Sequence, residues 1–151
     1  MAFLTLSQAK AHLRIDGTDG DTDLTLKIAA AERSAIEYLQ CNVYADQTAL
    51  DTAIAAVPAI LSAAKAAYII ADADADALTD YDLALDGKAH AMSIYMRAVY
   101  SATRTRQGVV INELIQSAIL LTLGWLNEKR EDGEALPRDA QDLLSPFRCY
   151  A

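Results

Sequence analysis

A chain of 151 residues fits one domain of ordinary size, large enough to bury a core without disulfide or metal staples, and its formal charge of −8 argues against holding duplex DNA by non-specific phosphate contacts. Hydrophobic residues make up 53%, but many are alanine, and no segment approaches the roughly 18 to 20 uninterrupted apolar residues that span a bilayer, so no membrane partner is expected. The opening MAFLTLSQAK lacks a basic stretch followed by an apolar run, so no export signal is read; Cys41 and Cys149, too distant for a metal knuckle and too few for a disulfide framework, fit a reducing compartment.

The first element is announced by Thr5 with Gln8 three residues on, a reciprocal capping pair, after which Leu6, Ala9 and Leu13 share a helical face; a helix is expected over 6–14. The loop that follows gathers Asp16, Asp19, Asp21 and Asp23 around Gly17 and Gly20. It fails as a calcium loop: counted from Asp19, position six is Leu24 where glycine is needed, and position twelve is Ala30 where a bidentate Glu should close the shell. Its aspartates read instead as caps for a second amphipathic helix over 22–39, with Leu24, Ile28, Ala31, Ala35 and Tyr38 or Leu39 at spacings of three and four.

From about residue 46 the pattern becomes a heptad seam. Leu50, Ile54, Val57, Leu61, Ala64, Tyr68, Ala71, Ala75 and Leu78 alternate four and three apart, and Leu85, Ala89, Met92, Met96, Val99 and Thr103 repeat the spacing. Two long helices paired antiparallel are expected over 46–107, with the turn between Leu78 and Leu85. At roughly 1.5 Å per residue the first arm approaches about 40 Å, long enough to project. Pro58 is expected to kink that arm or split it. Asp72, Asp74, Asp76, Asp80, Asp82 and Asp86 read as a solvated acidic tip, because alternate helical positions diverge and do not converge on one ion. The returning arm carries Arg97, Arg104 and Arg106 with Tyr95 and Tyr100, a basic aromatic cluster suited to an acidic partner or to phosphate.

Gly108 breaks the arm, and VVINELIQSAILLTLGWLNEKR opens the most apolar helix, with Gly133 placed to end it after Lys129 and Arg130. The tail LPRDAQDLLSPFR reads as a short helical turn with Pro137 at its first position and Pro146 stopping it; Leu136, Leu143, Leu144 and Phe147 need cover from the Trp125 helix or from a neighbour. No nucleophile elbow, phosphate loop or paired-histidine zinc motif occurs, and His12 and His90 are solitary, so no catalytic, cofactor or metal residues are assigned. The fold class expected is all-α: one domain, 1–151, made of a small helical bundle with a long inserted antiparallel hairpin and a short docked C-terminal segment. Such a chain works by contacts, and unlike patches on each subunit would favour heterologous self-assembly.

Three ordered blocks resemble the head-tail connector, or adaptor, family of tailed double-stranded DNA bacteriophages. Ala9 to Asp16 with Ile28 to Glu37 is similar to that family's A-K-x-H-L-R-I/V-D start and I-x-A-A-x-x-x-I-E helix; Gln116 to Glu131 and Leu136 to Arg148 are similar to its late helix and its L-P…L-L-x-P-Y/F-R ending. The stretch from Ala45 to Gly108 is longer than in compact members. The resemblance implies a structural virion protein: a homo-oligomeric ring of about twelve subunits at the neck, assembled in the host cytoplasm, contacting the portal above and the tail or stopper protein below, with DNA passing through unread. It makes Leu136, Leu143, Leu144, Phe147 and Arg148 candidate intersubunit or portal contacts. The alternative is a helical DNA-binding or DNA-packaging regulatory module working through Arg97, Arg104 and Arg106.

Overall fold

The computed structural model describes residues 3–128 and 136–149 and is all-α apart from one minimal sheet: α1 Leu6–Leu13, α2 Asp21–Leu39, β1 Val43–Tyr44, α3 Gln47–Asp76, α4 Tyr81–Arg106, β2 Val109–Val110, α5 Glu113–Glu128, α6 Arg138–Leu144 and a 3-10 turn Ser145–Phe147. The expected end of α5 at Lys129, Arg130 and Gly133 lies outside the described residues. Chain contacts divide the protein into two compact units, Met1–Gln47 with Gly108–Ala151, and Thr48–Gln107, so the second unit is close to the hairpin that periodicity marked out over 46–107.

In the first unit local chemistry sets the elements and apolar stripes assemble them. The Thr5 hydroxyl accepts from the Gln8 amide at 3.2 Å, and the Gln8 side chain accepts from the Thr5 N–H at 2.8 Å, so the capping box forms as expected and two helix-end donors are satisfied. Arg14 ends α1 in a left-handed conformation (φ 55°), one residue earlier than expected. The aspartates do not cap α2 as expected, because Gly20 occupies the cap position and makes no side-chain bond. Asp21 and Asp23 instead sit in the first turn, where carboxylates suit the positive helix end. Lys10 fastens the loop by donating to the Gly17 carbonyl at 2.8 Å and pairing with Asp21.

The core is continuous across α1, α2, α5 and α6. Ala9, Leu24, Ile28, Ala31, Ala35, Leu39, Ile115, Ile119, Leu123, Ala140 and Leu144 are all buried in one cluster, joined by Leu4, Cys41, Ala118 and Leu136. Thr122 is buried among them without penalty because its hydroxyl donates to the Ala118 carbonyl at 2.8 Å. Val109 and Val110 were expected to open the apolar helix but form a parallel ladder with Val43 and Tyr44. The Val109 and Ile111 amides donate to Asn42 and Tyr44 carbonyls at 2.9 and 2.8 Å, and helix α5 starts only after Asn112, whose side chain accepts from the Ile115 amide at 2.9 Å. The ladder joins the chain where it leaves this unit to where it returns.

The second unit is the antiparallel pair α3 and α4. Moving along α3 from Tyr68 to Ala75 and Asp76, the partners on α4 run backwards from Tyr95 to Gly87 and Lys88. Helix α3 continues unbroken through Pro58, so it is not split there. The turn falls at residues 77–80, earlier than the seam suggested, because Asp80 caps α4 by accepting from the Asp82 and Leu83 amides at 3.0 and 3.1 Å.

The seam of α4 differs from the expected one by a single position. Ala91 and Ala102 are buried, whereas Leu85 is 56%, Met92 43% and Met96 54% exposed. Gly87 marks the closest approach: a Cβ there would stand 3.0 Å from the Ala75 Cβ. Small residues let the helices close in, and the large ones expected between them turn outward. On α3 the expected seam holds at Leu50, Val57 and Ala75, while Ile54, Ala71 and Leu78 are exposed.

Candidate functional site

Among the described residues no three His, Cys, Asp or Glu side chains gather as a metal site would require. The features able to act are surfaces, and they differ between the two units.

In the first unit the C-terminal segment docks on its own bundle. Leu136, Ala140 and Leu144 are buried in the core beside α5, so the Trp125 helix supplies the cover that the tail needs. The Arg148 guanidinium stacks 4.9 Å from the Tyr38 ring centroid, and the Cys149 amide donates to the Leu39 carbonyl at 2.9 Å. The candidate contact set therefore divides. Leu136 and Leu144 have almost no accessible surface left, while Leu143, Phe147 and Arg148 remain partly accessible. Pro137 serves as the helix cap instead of the first helical residue, and Pro146 lies inside the 3-10 turn instead of ending the element.

Two features of this unit escaped sequence reading. Glu32 on α2 is buried, and its carboxylate accepts from the backbone amides of Phe3 and Leu4 at 2.6 and 2.9 Å, holding the residues before α1 against the bundle. Only its place on the apolar side of α2, between Ile28 and Ala35, hinted at this. The two cysteines, distant in sequence, converge: the thiols of Cys41 and Cys149 both donate to the Phe147 carbonyl, at 4.0 and 3.9 Å.

The second unit is unlike any ordinary core. Among the described residues, twelve of the fifteen exposed large hydrophobic side chains belong to it, among them Ile60, Ile69, Ile70, Leu85, Ile94 and Met96. Helix α3 is long and apolar enough to cross a membrane by length and composition, and only 6% of its apolar window is buried. Counting uninterrupted apolar residues overlooked it because Lys65 divides an otherwise alanine-rich run. A cavity of about 180 Å³ opens between the arms, lined by Ala64, Ala67, Tyr68, Ala71, Ile94 and Tyr95.

The charged groups of the hairpin are also placed. Lys88 pairs with Asp76 at 2.5 Å, which raises the lysine above its ordinary pKa chiefly through that hydrogen bond, so the acidic tip is partly neutralised. Arg104 stacks on Tyr100 at 6.0 Å from the ring centroid. Arg97 and Arg104, seven residues apart, share a helical face. Arg106 is rotated about 200° from Arg104 and departs from it, and Tyr95 packs on Tyr68 with centroids 5.6 Å apart instead of joining the arginines.

The family model for the phage gp6-like head-tail connector protein matches residues 3–79, taking in α1, α2, β1 and α3 and leaving α4, α5 and α6 uncovered. No curated protein and no solved structure matches the chain. The match spans just over half of the sequence, and the chain therefore belongs to the family of phage gp6-like head-tail connector proteins.

Proposed function

We propose that this head-tail connector protein acts as the subunit of a homo-oligomeric ring of about twelve copies that sits beneath the portal in the virion neck, continues the DNA channel and presents a platform to the tail or its stopper protein. The family match over residues 3–79 carries the reading. The family is a structural one. A formal charge of −8 supports the channel role: a wall lined by Asp and Glu lets DNA slide because few counterions are released on approach. The 46–107 hairpin is read as part of the connector in its first arm, α3, which lies within the family match, and as an elaboration in its second arm, α4, which lies beyond it, and Leu143, Phe147 and Arg148 as the part of the tail still able to meet a neighbour or the portal. Subunits assemble in the host cytoplasm before joining the particle.

Mass photometry and negative-stain imaging of the purified chain, alone and with the portal, test this directly. Rings are expected; a strict monomer that ignores the portal contradicts the reading, and a predominantly basic channel contradicts its electrostatic part. The second reading, a DNA-binding or packaging-regulatory module, is favoured only by the shared face of Arg97 and Arg104. Salt-dependent duplex binding that disappears when both become alanine would establish it.

A further inference from the structure

The hairpin carries two apolar features that its own fold leaves uncovered. The first is a stripe on α4. Leu85, Met92 and Met96 stand seven and four residues apart, keep the heptad register, and are 43 to 56% exposed. A 3.5-residue repeat of large side chains is the mark of a helical partner, yet in this fold α3 meets the alanine side of α4 instead. The second is the cavity of about 180 Å³ lined by Ala64, Ala67, Tyr68, Ala71, Ile94 and Tyr95. That volume exceeds cavities that admit a benzene-sized guest, so it has room for a Leu or Met side chain. Its walls are alanine methyl groups and ring faces, which favour a thioether or branched alkyl group over anything charged.

The two features face apart. On α4 the cavity is lined by Ala91, Ile94 and Tyr95, centred roughly 125° round the helix from the Leu85, Met92 and Met96 stripe, so the two features occupy different faces. One surface of the unit therefore presents large projecting side chains and the other a small-residue hollow. Unlike, complementary surfaces on one body define a heterologous contact, which repeats from copy to copy and closes into a ring when the rotation permits.

The geometry points to a second copy of this chain as the occupant: Met92 of one hairpin enters the Ala64, Ala67 and Ala71 hollow of the next, with Met96 packed against its rim. This rests on the ring reading above and supplies one of its interfaces. A bilayer is the competing occupant, since α3 alone has the length and composition to cross one. A hairpin enters a membrane with both arms, however, and α4 carries Asp82, Asp86, Lys88, Arg97, Arg104 and Arg106, too many charges for hydrocarbon. Lipid also has no need of a heptad register.

The test uses the full chain and two variants of exposed residues, Met92→Glu/Met96→Glu and Ala67→Trp, each checked for unchanged helicity by circular dichroism; Ala71→Met replaces Ala67→Trp should the latter misfold. Sedimentation velocity is expected to show each variant self-associating at least about tenfold more weakly than the wild type. An equimolar mixture is expected to recover a two-subunit complex, because the tryptophan variant keeps its methionines and the glutamate variant keeps its hollow. Variants that assemble like the wild type, a mixture that stays as dissociated as its components, or a wild-type chain whose stripe binds phosphatidylcholine vesicles while it remains monomeric overturns the interface. Rings that tolerate both variants contradict this contact and leave the ring reading standing; a wild-type chain that stays monomeric with the portal contradicts both.

Discussion

The two units solve the packing problem in opposite ways. In the bundle the largest side chains go inside: Leu39, Ile115, Ile119, Leu123 and Leu144 are fully buried, and the helices are held apart by what they enclose. In the hairpin, Leu50 and Val57 of α3 apart, the buried residues are small ones. Ala75, Gly87, Ala91 and Ala102 let the arms approach, and Leu85, Met92, Ile94 and Met96 are turned out. The bundle satisfies its apolar surface by itself, while the hairpin keeps a large apolar surface that monomeric proteins rarely expose. The difference separates a part that covers its own apolar side chains from a part that leaves many of them exposed.

The comparison is broken most severely by removing the C-terminal segment. Truncation after Gly133 takes Leu136, Ala140 and Leu144 out of the core and is expected to abolish cooperative thermal unfolding of the bundle, followed by circular dichroism; a folded, cooperative product would show that the tail is not part of that core. Leu144→Ala should cost about 2 to 5 kcal/mol in chemical denaturation, since a buried leucine leaves a cavity. Met92→Ala, of similar side-chain size, should change monomer stability by no more than about 0.5 kcal/mol, as surface substitutions usually do. Equal costs at these two sites would erase the contrast between the units. Glu32→Ala leaves the Phe3 and Leu4 amides without their acceptor and should cost about 1 to 3 kcal/mol, with faster amide exchange at both residues.

The smallest effect concerns the hairpin tip. Because hydrogen bonding to Asp76 raises the folded-state pKa of Lys88, the stabilisation from that pair is fully present below the ordinary lysine value and disappears as pH rises through the higher folded value. Thermal melts of the wild type and Lys88→Met should differ at neutral pH and converge in strongly alkaline solution. A difference that persists there would assign the effect to packing of the lysine stem.

Much of this was legible in the residues, and the failures have physical reasons. The Thr5 and Gln8 capping box, the stripe of α2 and the antiparallel hairpin follow from local hydrogen bonding and periodicity, and all three are present. The β1 and β2 ladder was missed because two-residue strands have no period to detect, and Val109 and Val110 read equally well as the start of α5. The α4 seam was displaced by one position because pattern reading assigns large apolar residues to the inside; two helices in close approach select alanine and glycine there. Glu32 illustrates a further limit, since a carboxylate on an apolar face looks like an exposed residue until the amides of Phe3 and Leu4 arrive beside it. The acidic tip is exposed as expected at Asp74, Asp76, Asp80, Asp82 and Asp86, and within it Asp80 caps α4 and Asp76 pairs with Lys88.

A cryo-EM map of the assembled neck tests the central claim most directly. The account predicts neighbouring hairpins in contact around the ring, with Met92 of each subunit seated in the Ala64, Ala67 and Ala71 hollow of the next and Met96 against its rim, while every bundle keeps Leu136 and Leu144 in its own core. Hairpins separated from one another by solvent, or a tail segment lifted from its own bundle into a neighbour, would contradict it.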